Sequence, residues 1–139
     1  MQSVYLIACS QRKRSAPCRA RDLYAASPLF RLSLQFAEKH HPDQIFILSA
    51  KYGLVALDQE IAPYDHTLSI MSGEEVSAWS AGVLQQLQNE VDPATTVVTF
   101  LAGKLYGRPL APFLPHTQLP LEGLGIGKRL QYLKSHLNS

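Results

Sequence analysis

The sequence predicts an α/β domain built on a mostly parallel, four-stranded sheet, and three features carry that expectation. Residues 3–8 (SVYLIA), 44–50 (QIFILSA) and 95–101 (TTVVTFL) are short apolar runs rich in β-branched and aromatic residues, the composition of strands buried on both faces. Segments of helical periodicity separate the first run from the second and the second from the third. Strand, crossover helix and strand form a βαβ unit, which makes the strands parallel and brings their carboxyl ends to one edge.

In chain order, the first strand ends at Cys9-Ser10 and gives way to a loop containing Gln11, Arg12 and Lys13. Residues 22–26 accommodate a helical turn. Ser27-Pro28 then starts a longer helix, with Ser27 as N-cap and Pro28 in the first helical position. Leu29, Leu32, Phe36 and Ala37 form its apolar face, and Pro42 closes it after about His40. The second strand is followed by a long irregular loop over residues 55–70. Ser72 and Glu75 have capping-box spacing, and Val76, Trp79, Val83, Leu84, Leu87 and Val91 mark the buried face of the helix that follows. After the third strand, residues 108–115 are proline-rich and suit a turn with a short helical piece. Residues 118–121 are expected as the fourth strand, leading to a last amphipathic helix with Ile126, Leu130, Leu133 and Leu137 inward.

With 139 residues, 46% of them hydrophobic, residues 1–139 read as one globular domain without repeats or linkers. The net charge of +2 is too small to announce nucleic acid, although Arg12, Lys13, Arg14, Arg19 and Arg21 crowd one segment. That segment is either a solvated loop or a phosphate-facing arm. Cys9 and Cys18 lack disulfide-style spacing and no apolar signal region precedes them, so a reduced cytoplasmic protein is expected. The early apolar run is too short for a membrane span. The histidines show no zinc spacing, and neither a metal nor a cofactor is implied.

The ends of the strands carry groups for which a packed core has no use. They are Cys9, Ser10 and Lys13; Ser49, Lys51, Tyr52 and Gly53; Gly103, Lys104 and Tyr106; and Glu122 with the glycine-rich turn beyond it. In open parallel sheets ligands bind just past the carboxyl ends, where these groups are expected to meet. Gly125 and Gly127 lead into the last helix, whose first amides suit a phosphate, with Lys128 adding charge; a simple tight turn is the alternative. The spacing is neither the dinucleotide fingerprint nor a Walker loop, because Arg129 stands where the latter needs a hydroxyl. Cys9 is either a nucleophile or a small apolar plug. Asp65, between Tyr64 and His66 and far from any helix start, is either an acid–base carboxylate or an Asx-turn residue. Tyr52 and Tyr64 suit stacking on a base, while Lys51 and Lys104 suit a phosphate or a carbonyl oxygen. Ser10, Ser49, Gly53 and His66 complete the expected substrate-binding set.

Taken together, C-S-x-x-K, L-Y followed by S-P-L-F, L-S-A-K-Y-G-L, P-Y-D-H-T-L and P-L-E-G-L-G-I-G-K resemble a widespread bacterial family of unknown function across nearly the whole chain. Those three-layer Rossmann-like domains are distantly similar to the peroxide-stress protein family, to the uracil-DNA glycosylase fold and to a domain of archaeosine synthase. The resemblance implies a cleft that handles a base or nucleotide. One reading is an enzyme that cleaves or exchanges an N-glycosidic bond, or otherwise processes a modified base. Asp65 would then be the acid–base group, Tyr52 and Tyr64 the base contacts, and Lys51 and Lys13 the phosphate or oxyanion partners. The alternative is a non-catalytic module holding a nucleotide or DNA backbone through Lys13, Lys51, Lys104 and Lys128. A third reading is a thiol enzyme using Cys9. The glycosylase motif Gly-Gln-Asp-Pro-Tyr is absent, and Pro63-Tyr64-Asp65 has similar residues in another order.

Overall fold

The computed structural model describes residues 1–10, 15–65 and 67–137, the side chain of Lys104 apart. The elements are β1 (Gln2–Ala8), β2 (Cys18–Arg19), α1 (Ala20–Leu23), α2 (Pro28–Lys39), β3 (Gln44–Ser49), β4 (Gly53–Ala56), β5 (Glu60–Ile61), α3 (Gly73–Glu90), β6 (Thr96–Leu101), α4 (Lys104–Gly107), β7 (Thr117–Gln118) and α5 (Ile126–Leu137). The main sheet has the order β4-β3-β1-β6-β7. Its strands are parallel except β4, which runs antiparallel to β3.

The sheet therefore has five strands where four are expected. The additional strand, β4, begins at Gly53, whose φ of 77° lets the chain reverse directly after Lys51-Tyr52. A four-residue strand beginning on a glycine has too little periodicity to stand out in the sequence. The 55–70 stretch is also less irregular than expected, because β5 pairs with β2, Cys18 opposite Ile61. The fourth expected strand is shorter and earlier, at Thr117–Gln118.

Alternation along β1 distributes the core over both faces of the sheet. Tyr5 and Ile7 pack with Phe30, Leu34, Phe36 and Ala37 of α2 and with Leu133 of α5. Val4 and Leu6 pack on the opposite side with Val83 and Leu87 of α3. Strands covered on both faces need apolar residues at successive positions, which explains the unbroken runs.

The helix starts are locally determined. Ser27 accepts the Phe30 amide at 3.3 Å ahead of Pro28. Ser72 and Glu75 form the reciprocal capping box, at 3.2 and 3.1 Å. The buried face of α2 is centred on Phe30, Ser33, Leu34, Phe36 and Ala37, leaving Leu29 and Leu32 half-buried. In α5, Leu133 is fully buried, but Ile126 is 65% exposed and so is not an inward residue as expected. The last helix is held to α2 by Lys39, whose Nζ donates to the His136 carbonyl at 2.7 Å, a cation on the negative end of the helix. No helix among the described residues is long and apolar enough to cross a membrane.

Two glycines should respond to alanine in opposite senses. At Gly53 a Cβ would meet the Gln86 side chain, in addition to the positive φ, so Gly53→Ala is expected to cost about 1–3 kcal/mol. At Gly82, inside α3, a Cβ meets nothing within 4 Å, and Gly82→Ala is expected to add about 0.5–1 kcal/mol. Urea unfolding of both variants checks the pair; equal effects would contradict this account of the β3–β4 turn.

Candidate functional site

From β1 the chain crosses through α2 to β3 on one side, whereas β6, on the other side of β1, is followed by β7 further outward. Connections that leave in opposite directions open a crevice at the carboxyl ends of β1 and β6. A cavity of about 550 Å3 lies there. Ala8, Cys9 and Ser10 line it from the tip of β1, and Leu101, Ala102 and Gly103 from the tip of β6. The start of α2 supplies Ser27, Leu29, Phe30 and Ser33, α4 supplies Leu105 and Tyr106, and α5 supplies Ile126, Arg129 and Leu130. The wall is mainly apolar, with a few polar groups set into it.

Cys9 and Tyr106 form one polar pair, Sγ to Oη at 3.1 Å. Burial pushes the Tyr106 phenol well above its ordinary value, and the neighbouring Cys9 thiol acts in the same direction. The proton therefore stays on Tyr106, whose O–H is available to the sulfur. Trp79 stands edge-on to the Tyr106 ring at 5.8 Å and donates its indole N–H to the Ser49 carbonyl at 2.8 Å. Among the described residues, Arg129 is the charged side chain in the lining. Its Nε donates to the Leu124 carbonyl at 2.8 Å, and its guanidinium lies over Gly103.

Next to the crevice is a buried chain of hydroxyls. Ser49 Oγ accepts the amides of Lys51 and Tyr52 at 3.3 and 3.0 Å and donates to Tyr64 Oη at 2.7 Å. Tyr64 in turn shares a hydrogen bond with Tyr24 at 2.5 Å. Desolvation by burial pushes the Tyr24 phenol up to about 12, against the opposing effect of its hydrogen bond to Tyr64. Burial, followed by the proximity of Cys9, also raises Tyr64. These bonds tie the loop after β5 to the tip of β3.

Of the residues expected to form the site, Cys9 and Ser10 line the cavity. Ser49 and Tyr64 are buried in the hydroxyl chain, and Tyr52 meets Tyr64 edge-on at 5.5 Å. Gly53 faces Gln86 of α3. Lys51 is exposed, its Nζ 5.3 Å from the Tyr52 ring centre. Asp65 is also exposed and is not among the described residues that line the cavity. Gly125, Gly127 and Lys128 are exposed at the start of α5. Lys104 opens α4, while Lys13 and His66 lie outside the described residues. The residues that sequence reasoning passed over are Arg129, Leu29, Phe30 and, as the partner of Cys9, Tyr106. A signal for Arg129 was present: Ile126, Arg129 and Leu130 have the i, i+3, i+4 spacing of one helix face, and Lys128 falls off that face.

Among the described residues no group of three or more His, Cys, Asp or Glu is placed to hold a metal ion. The class so defined is a mixed α/β chain with a largely apolar crevice at the switch point of a mostly parallel sheet. Within that class, the chain belongs to a family of unknown function, DUF6884, whose model matches residues 4–135. No curated protein and no solved structure matches it significantly.

Two outcomes follow from the hydroxyl chain. Ser49→Ala removes the acceptor of two part-buried amides and one of the hydrogen-bond partners of the Tyr64 phenol, and a loss of about 1–3 kcal/mol is expected in thermal or urea unfolding. Alkaline pH should act through the buried phenols, among them Tyr24, which releases its proton near 10.0 when unfolded and near 12 when folded. Its contribution is complete below the lower value and is lost as pH rises through the upper one, because the unfolded chain gives up the proton first. Unfolding temperature should therefore fall across that window; a flat profile would contradict the assignment.

Proposed function

We propose that this chain is a nucleobase- or nucleotide-processing domain of three-layer Rossmann-like form, with its ligand held in the crevice between β1 and β6. The observation that carries this reading is the position and lining of the cavity. Its volume of about 550 Å3 falls within the roughly 300–1,000 Å3 of small-molecule sites. A heteroaromatic base has two apolar faces and a polar edge. Leu29, Phe30, Leu101, Leu105 and Leu130 suit the faces, while Cys9, Ser10, Ser27 and Tyr106 offer hydrogen-bonding groups for the edge.

On the enzymatic reading the bond processed is N-glycosidic, and Asp65 is the acid–base or cation-stabilising group, with Lys51 as an oxyanion partner. A base in duplex DNA would have to be extruded to enter. The exposure of Asp65 and Lys51 favours the second reading, a module that binds a nucleotide or DNA without chemistry. Both described cysteines are free thiols, which suits a reducing, cytoplasmic setting.

Calorimetric titration with bases, nucleosides and nucleotides tests the binding reading. Leu105→Glu, at a side chain 45% exposed on the cavity rim, should weaken nucleotide binding about tenfold or more without unfolding the chain. Undiminished affinity would place the ligand elsewhere. Asp65→Asn separates the two readings once a substrate is found. If Asp65 acts, turnover should fall on the order of 100-fold or more while binding persists; unchanged turnover removes Asp65 from the chemistry. Binding without product in the unaltered chain would leave the module.

A further inference from the structure

We infer that Arg129 forms an oxyanion subsite in the crevice, so that the ligand is a nucleoside phosphate rather than a free base or nucleoside. This rests on the nucleotide reading of the crevice and adds to it the chemical class of the ligand.

The guanidinium is held in place by two contacts. Nε is committed to the Leu124 carbonyl, and the planar end occupies the space that a side chain at position 103 would fill. A Cβ on Gly103 would stand 2.8 Å from Cζ and 2.9 Å from Nη1. Glycine at the tip of β6 is thus what admits the arginine into the crevice.

Arg129 also lacks an internal counter-charge among the described residues. Ion pairs there engage Arg19, Arg21 and Arg108. Glu122, in the turn that precedes α5, has its carboxylate directed to Arg108 at 3.8 Å. A half-buried cation against apolar walls with no anionic partner is unfavourable, and a bound anion relieves that cost. With Nε occupied, the two terminal nitrogens remain as a planar fork that matches two oxygens of one phosphate group. Leu29, Phe30 and Leu130 leave an apolar slot in the same cavity for a base. One ligand carrying both a flat ring and a phosphate satisfies the whole lining.

The test titrates the unaltered chain, Arg129→Gln and Gly103→Ala with the four common nucleoside monophosphates, the corresponding nucleosides and inorganic phosphate. At least one nucleotide should bind the unaltered chain about tenfold or more tightly than its nucleoside, the scale of a charge-assisted hydrogen bond. Both variants should close the gap between nucleotide and nucleoside, bringing the two to about equal affinity. Should Arg129→Gln fail to fold by circular dichroism, Gly103→Ala and Arg129→Lys, which keeps the charge and loses the fork, give the same comparison. Equal affinity for nucleotide and nucleoside overturns the subsite and leaves the crevice reading intact. Phosphate binding that Arg129→Gln abolishes, with no nucleotide or nucleoside bound, supports an anion subsite and overturns the nucleoside phosphate. No binding by any of them overturns both.

Discussion

The parallel pairing of β1 with both of its neighbours is the constraint on which the rest of the molecule depends. Val4 lies opposite Gln44 on one side and Val98 on the other, and this double register makes β3 and β6 finish beside Ala8. Three chain segments far apart in sequence then present their first non-strand residues at one edge. Because β1 is covered by α2 and α5 on one face and by α3 on the other, it has no solvent-facing side along its central residues. A polar group there would be costly, so the reactive side chains are displaced to the ends.

At that edge the polar groups divide into two kinds. Ser49, Tyr64 and Tyr24 satisfy one another and two backbone amides, which makes them part of the scaffold although their residue types suggest a binding site. Cys9, Tyr106 and Arg129 instead meet open space. The difference lies in what covers them. The loop after β5 closes over the tip of β3, whereas among the described residues no strand lies between the diverging connections of β1 and β6.

Much of the scaffold was legible because it is encoded locally. Ser27-Pro28 and Ser72 with Glu75 are caps whose partners lie within three residues, and the strand runs announce burial by composition alone. What stayed hidden depends on contacts distant in sequence. The strand at residues 53–56 exists because β3 offers it an edge and Gln86 of α3 receives the Leu54 amide at 2.9 Å. The hydroxyl pairing of Tyr24 and Tyr64 spans 40 positions. For the site, composition drew attention to Lys128, whereas the cation lining the crevice is its neighbour Arg129: only the helix phase relative to Ile126 and Leu130 decides which of the two enters it.

Trp79 is the only tryptophan in the chain. It packs against core residues on both faces of the sheet and meets Tyr106, whose hydroxyl touches the cavity thiol. The molecule thus carries an intrinsic fluorophore one ring removed from the crevice, a built-in probe for binding there that needs no added label.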